Sequence, residues 1–367
     1  MEMIQLTPRS EGATPRSPKP PTSVLDVSLE ELRTWCREHD EPEYRATQIW
    51  KGVYTDLCED MRDISTLPAE FRARITDGLP MPHIAPLHTW KADGGATHKV
   101  LFGLHDGTAV ESVLMRYEDG RATVCVSSQA GCAMGCVFCA TGLGGFDRNL
   151  SAGEIVAQIL YFARDLKQEG RRLTNVVYMG MGEPLANPRA VWRSIENLHE
   201  PQGMRFSARR ITVSTVGIVP QIHRFAEADL PVNLAISLHA PTDELRGALM
   251  PVNHRWPIHE LVDAARAYTE RSGRRISFEY ALIADSNSSV EHARALGSLL
   301  HGMLCHVNLI PLNNVPGSPL KPPTPEAIRA FQDTVLAAGV PCTVRLERGA
   351  DILAACGQLR IEHAQTA

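Results

Sequence analysis

The stretch that most constrains this chain is Gly131-Cys132-Ala133-Met134-Gly135-Cys136-Val137-Phe138-Cys139-Ala140-Thr141-Gly142. Three cysteines spaced C-x3-C-x2-C stand too close for a disulfide framework and one thiol short of a closed zinc site. Thiolates are the usual ligands of iron-sulfur clusters, and a [4Fe-4S] cluster held by three of them leaves one iron free for another ligand. An open iron implies chemistry on a bound small molecule, where four cysteine ligands would imply structure or electron transfer. The alternative is a zinc ion completed by a distant ligand such as one of the fourteen histidines, although zinc ligands usually come as C-x2-C pairs.

The rest of the chain supplies the scaffold. Residues 1–22, rich in Pro, Ser, Thr and Arg, read as a disordered tail with little to bury. A helical module follows over 23–86: Ser28 and Glu31 form a capping-box signature, and Leu29, Leu32, Trp35 and Cys36 recur at helical spacing. Pro42 suits the first turn of a second helix carrying Tyr44, Ile49, Trp50, Val53 and Tyr54. Over 87–120 the turn dipeptides Asp93-Gly94 and Asp106-Gly107 divide strand-like runs into a short antiparallel segment, and Glu111 lies in the last of these.

From residue 121 to 345 strands and helices alternate. Strands are expected at 122–126, 175–179, 210–214, 232–238, 275–282 and 306–310, and helices at 151–167, 189–198, 219–228, 258–271, 289–304 and 324–338. Six such units imply an α/β fold with a parallel sheet and right-handed crossovers, followed by a C-terminal loop over 346–367. Periodicity does not say whether the sheet closes.

With 44% hydrophobic residues, no basic-then-apolar leader and no run of membrane-spanning length, the chain is expected to be cytoplasmic and off the membrane. Nine cysteines fit that compartment better as ligands, catalytic groups or buried residues than as bridges. A formal charge of −5 is unusual for a nucleic-acid enzyme, so any RNA contact has to come from local groups: Arg205, Arg209 and Arg210; Arg271, Arg274 and Arg275; Arg345 and Arg348.

The C-x3-C-x2-C loop with Phe138 before its last cysteine resembles the cluster loop of the radical S-adenosylmethionine (SAM) superfamily. The stretch from Ala122 through Cys125 to Cys132, and the ending Gly349-Ala350-Asp351-Ile352-Leu353-Ala354-Ala355-Cys356-Gly357-Gln358-Leu359, narrow the resemblance to the RlmN/Cfr family, radical SAM methyltransferases of 23S ribosomal RNA adenine. It spans about Ser28 to Leu359 and implies an open, partial (β/α)6 barrel with the site at the C-terminal strand ends.

The resemblance implies a role for each of the following residues. Cys132, Cys136 and Cys139 hold one [4Fe-4S] cluster, on whose open iron SAM is split to a 5'-deoxyadenosyl radical. Gly182 and Glu183, in a Gly-Gly-Glu-type motif, contact the SAM amino group, and Ser214, Ser237, Leu238, His239 and Asn313 bind its other parts. Cys356 is the methyl carrier, Cys125 resolves the RNA adduct through a transient disulfide with Cys356, and Glu111 is the proton acceptor. The implied reaction is methylation at C2 of an adenosine in 23S rRNA, and of the adenosine beside the anticodon in tRNA, at two SAM per methyl. The implied enzyme is a monomer reduced by a donor such as flavodoxin. Cfr-type methylation at C8 shares all these residues, and a non-catalytic metal-binding RNA module is the alternative from another class. Cys36, Cys58, Cys305 and Cys342 match no motif and are assigned to packing.

Overall fold

The computed structural model describes residues 22–313, 318–345 and 349–359. The expected tail, but for its last residue, lies outside the described residues, as does Arg348. The N-terminal module opens with α1 (Leu29–Glu38), whose capping box forms as expected: the Ser28 hydroxyl accepts from the Glu31 N–H while the Glu31 carboxylate accepts from the Ser28 N–H. Its stripe of Leu29, Leu32 and Cys36 is buried against Ile49 and Trp50 of α2 (Tyr44–Lys51). The second helix differs from expectation at both ends. Val53 and Tyr54 belong to a π-helical turn, Gly52–Asp56, and Tyr44 is exposed because it opens the helix on the outward side, under the Arg45 guanidinium. A third helix, α3 (Ala69–Gly78), has only Phe71 and Ile75 buried, too few apolar positions to show a period in the sequence.

Three antiparallel strands follow: β1 (Ile84–Ala92), β2 (Thr97–Leu104) and β3 (Ala109–Arg116). Both turn dipeptides sit where predicted, with Gly94 and Gly107 in the left-handed region. These strands continue into the main sheet, because β3 pairs antiparallel with β4 (Ala122–Cys125) in the register Val113 to Cys125. One cross-strand row therefore runs Trp90, Lys99, Val113, Cys125, Val177.

Beyond β4, a hairpin of β5 (Gln129–Gly131) and β6 (Phe146–Asn149) brackets the cysteine loop and its short helix α4 (Ala140–Gly144). Then come α5 (Ala152–Gln168), β7 (Asn175–Tyr178), α6 (Pro188–His199), β8 (Ile211–Thr215), α7 (Val219–Ala226) and β9 (Asn233–Ser237). The chain continues through α8 (Asp243–Leu249), α9 (Ile258–Ser272), β10 (Ile276–Leu282), α10 (Val290–Leu300), β11 (Cys305–Pro311), α11 (Pro325–Ala337) and β12 (Cys342–Val344). The sheet order is β1-β2-β3-β4-β7-β8-β9-β10-β11-β12, parallel from β4 onward. With β1 and β12 at its two ends the sheet stays open, a partial barrel.

All six expected strands are present, although Arg210 sits in the turn before β8. The additional parallel strand β12 is three residues long, too short for alternation to register. The helix α8 was not foreseen either. The Ser151 and Glu154 capping box predicted for α5 forms, and α5 packs Ile155, Ile159, Phe162 and Leu166 into the main core with Val124, Val176 and Val213. The parallel strands β4, β7, β8, β9, β11 and β12 thus carry the motifs at or just beyond their ends on one rim, and β10 alone among the parallel strands carries none.

Candidate active site

Cys132, Cys136 and Cys139 line a single cavity at this rim, together with Gly182, Glu183, Ser214, Ser237, His239, Asn313 and Cys356. The cysteine loop is clamped at its base, where the Cys132 N–H donates to Gly145 O (2.7 Å). Gly131, with φ 75°, lies so close to Gly145 that a Cβ would meet its carbonyl oxygen at 2.2 Å. Burial raises all three thiols, that of Cys132 to about 11. Thiolates here therefore need a bound cation to compensate them.

The motif after β7 is built on close backbone approach. Gly180 packs so tightly on the exit of β4 that a Cβ would lie 2.7 Å from the carbonyl carbon and oxygen of Val126, and Gly182 turns at φ 97° against Gln129. The two segments are zipped by Gly180 N–H to Val126 O (3.0 Å), Ser128 N–H to Met181 O (2.9 Å) and Glu183 N–H to Gln129 Oε1 (2.8 Å). These bonds fix Glu183, whose carboxylate accepts from the Leu185 N–H (2.9 Å) and the Val216 N–H (2.8 Å). Burial pushes its carboxyl up to about 7, the backbone donors pulling the other way. A carboxylate with spare lone pairs in a dry cavity is an acceptor for an ammonium group.

Ser214 lies in β8, Ser237 at the end of β9, and Leu238 and His239 just beyond it. His239 adopts φ 58° and accepts the Ala281 N–H at Nδ1 (2.8 Å), which puts its ring proton on Nε2. Burial depresses it to about 3, so the ring is neutral; it packs edge-on against Phe138 of the cysteine loop at 4.7 Å. Leu238 is fully buried and does not line the cavity. The residue that holds this turn was missed by the sequence reading. Arg246 of α8, fully buried, donates to Val216 O (2.6 Å), Leu238 O (3.1 Å), Ser237 O (3.2 Å) and Asn253 Oδ1 (2.9 Å), tying the ends of β8 and β9 together.

Cys356 sits on a loop tethered to the cluster region. Asn313 Nδ2 donates to Cys356 O (2.9 Å), the Ala140 N–H to Gly357 O (2.7 Å) and the Thr141 hydroxyl to Leu359 O (2.6 Å). A second cavity of about 410 Å³ adjoins the first and is lined by Cys125, Cys356, Asn313, Arg345, Met179 and Tyr117, among others. Cys356 thus borders both cavities. Burial pushes the Cys125 thiol up to about 12, with Cys356 adding and Arg345 opposing. Arg345, grouped in the sequence with surface cations, instead lines both cavities; Cys356 above all, then Glu279 and Cys125, favour its charged form. Glu279 also lines the first cavity and carries a buried Oε2 that has no hydrogen-bond partner among the described residues. Glu111 lines neither cavity: its carboxylate is buried in an ion pair with Lys99 at 3.0 Å. None of the nine cysteines is joined to another in a disulfide.

Among the described residues no three His, Cys, Asp or Glu side chains are gathered to hold a single metal ion. The three loop thiols, lining one cavity beside the Glu183 carboxylate, fit a cluster with several iron corners better than a zinc ion.

An open parallel sheet with a three-cysteine loop at its rim defines the radical SAM class, and the comparisons agree. The model of the radical SAM superfamily matches residues 126–295, and that of the ribosomal RNA large subunit methyltransferase N-terminal domain matches 22–79. A probable dual-specificity RNA methyltransferase RlmN from Corynebacterium diphtheriae is 49% identical over 95% of this chain and 96% of its own length. A protein of the same name from Chloroflexus aurantiacus is 47% identical over 93% of each. The crystal structure of a radical SAM methyltransferase from Sphaerobacter thermophilus superposes with a TM-score of 0.91 at 50% identity, covering 93% of this chain and 99% of that one. This chain belongs to the RlmN family. It is a SAM-dependent methyltransferase whose cofactors are a [4Fe-4S] cluster and SAM. No helix among the described residues is long and apolar enough to cross a membrane.

Proposed function

We propose that this enzyme methylates C2 of a specific adenosine in 23S rRNA, and of the adenosine beside the anticodon in tRNAs, through an S-methylcysteine on Cys356. The observation that carries the reading is the position of Cys356, which borders both the cavity of the three loop thiols and the cavity of Cys125. A carrier needs that position, since it must meet SAM on one side and be released by a second thiol.

Adenine C2 lies between two ring nitrogens and has no lone pair with which to displace a methyl group, so a direct transfer is closed to it. In this reading Cys132, Cys136 and Cys139 hold the cluster, and bound SAM supplies both the methyl group and the radical that activates it. Glu183 and Gly182 hold the SAM amino group; Ser214, Ser237, Leu238, His239 and Asn313 hold the rest, with Leu238 able to contribute only main-chain groups. Neutral His239 offers its Nε2–H as a donor. Cys356 takes the methyl group as a thioether; once a hydrogen atom has been removed from that group, its methylene carbon bonds to C2. Restoring the aromatic ring then releases one proton from C2, which Glu111 receives, and one electron, which the cluster held by the three loop thiols would accept. The Cys125 thiolate then attacks the Cys356 sulfur and breaks its bond to the methylene carbon, which keeps the electron pair and takes up a proton. The product is a methyl group and a Cys125–Cys356 disulfide, reopened by reductant. The helical module over 23–86 helps to hold RNA, and a monomeric enzyme reduced by a flavodoxin-like donor works in the cytoplasm.

The test is peptide mass spectrometry after anaerobic incubation of the cluster-loaded protein with SAM and an rRNA fragment. A single added methyl on the Cys356 peptide, and a protein–RNA link that persists in Cys125→Ser, are expected. Methylated RNA formed by Cys356→Ala would refute the carrier role.

A further inference from the structure

Lys99 is used by none of these roles, yet it is a buried cation on a strand that is almost wholly buried. Its Nζ lies 3.0 Å from Glu111 Oε1, 4.4 Å above the Trp90 ring centroid, and 3.4 Å from the carbonyl oxygen of Leu353, three residues before Cys356. A buried ammonium is costly unless its donors are met. Here a carboxylate, an aromatic face and a carbonyl meet them. The strand register makes the arrangement rigid, because Trp90 opposes Lys99 and Leu101, two residues on from Lys99, opposes Glu111. The loop, by contrast, is held under strain. Leu353 adopts φ 51°, a region that leucine rarely enters, and a further tie runs from the Gly349 N–H to Asp93 Oδ2 (3.2 Å) in the turn before β2.

We propose that Lys99 is a positioning residue that links docking of the Cys356 loop to placement of Glu111. One buried ammonium holds the Glu111 carboxylate and the Leu353 carbonyl together, so the proton acceptor is fixed beside the carrier loop only while that loop is docked. The inference rests on the reading of Glu111 as proton acceptor. Lys99 lines neither cavity, so its loss acts on the step that uses Glu111, after Cys356 has been methylated.

The experiment compares wild type, Lys99→Met, Lys99→Gln and Glu111→Gln as cluster-loaded, full-length proteins with SAM and an rRNA fragment. It follows Cys356 methylation by peptide mass, release of the protein–RNA adduct by gel, and hydrogen exchange of residues 349–357. In Lys99→Met, Cys356 methylation should stay within about twofold while adduct release slows about 100-fold, the cost of misplacing a catalytic group by about 1 Å. The loop amides should exchange faster and those of the parallel strands should not. Lys99→Gln, which keeps a donor for Leu353 but no charge for Glu111, should retain loop protection and still release slowly; it also carries the test should Lys99→Met lose its cluster. Release at the wild-type rate in both Lys99 variants, with Glu111→Gln stalled, would overturn this inference alone. Equal losses of methylation and release would reduce Lys99 to a structural role and overturn it too. Normal release by Glu111→Gln would instead overturn the underlying reading of Glu111.

Discussion

Replacing Arg246 with Met is expected to leave the protein folded and to weaken SAM binding. The substitution removes the donors to Val216, Ser237, Leu238 and Asn253. Leu238 O keeps the Ala240 N–H at 2.8 Å, so the shortest bonds lost are those to Val216 O and Asn253 Oδ1. A buried acceptor left without its donor costs about 1–3 kcal/mol, so two of them cost about 2–6 kcal/mol. Acting the other way, burial lowers the Arg246 guanidinium from 12.5 to about 10. Keeping it charged at neutral pH therefore costs the folded state about 3 kcal/mol, a cost that Met does not carry. The two effects largely offset, and the net loss of stability should not exceed about 3 kcal/mol. The turn carrying Ser237, Leu238 and His239 nevertheless loses its anchor, and SAM affinity should fall about tenfold or more, equivalent to at least about 1.4 kcal/mol. Urea denaturation of the cluster-loaded protein beside calorimetric SAM titration measures both. Unchanged SAM affinity would refute the anchoring role, and a stability loss well above about 5 kcal/mol would refute the offset.

Two further outcomes follow from the same geometry. Because Glu183 is held near 7 by burial and its carboxylate form is the one that attracts an ammonium group, SAM should bind about fourfold more tightly at pH 8 than at pH 6, the gain in carboxylate being partly offset as an α-amino group, ordinarily titrating near 8, loses its proton. Glu183→Gln should remove that rise in a calorimetric titration. In the ligand-free protein the sign reverses: a carboxyl raised above its unfolded value favours the fold most below about pH 4.5, and that contribution is lost as pH rises through about 7. Gly180→Ala places a Cβ 2.7 Å from the Val126 carbonyl, backbone that cannot step aside, and should destabilise the protein by about 1–3 kcal/mol in thermal or urea unfolding while leaving α1 and α2 packed.

The parts of this molecule that were legible in the sequence are those with a local signature. The capping boxes at Ser28 and Ser151 need only a hydroxyl and a carboxylate three residues apart, and both form. The six strands with their helices showed through periodicity, and the cysteine loop through its spacing. What stayed hidden depends on long-range contact. Arg246 looks like any helical arginine until the carbonyls of Val216 and Ser237 surround it, and Arg345 was grouped with surface cations although β12 turns it inward. Lys99 did carry a signal, a lone cation beside Val100, Leu101 and Phe102, but its partners Glu111 and Leu353 lie 12 and 254 positions away in the chain. The continuity of the antiparallel strands with the main sheet was equally invisible, since it rests on the pairing of Val113 with Cys125.

The central claim is best tested by anaerobic reaction of the cluster-loaded protein with 23S rRNA fragments and methyl-labelled SAM, with the digested nucleosides read by mass spectrometry beside a Cys356→Ala control. The account predicts labelled 2-methyladenosine with the wild type and none with the variant. Labelled 8-methyladenosine would contradict the assigned position on the ring, and SAM cleavage without any methylated base would contradict the assigned substrate.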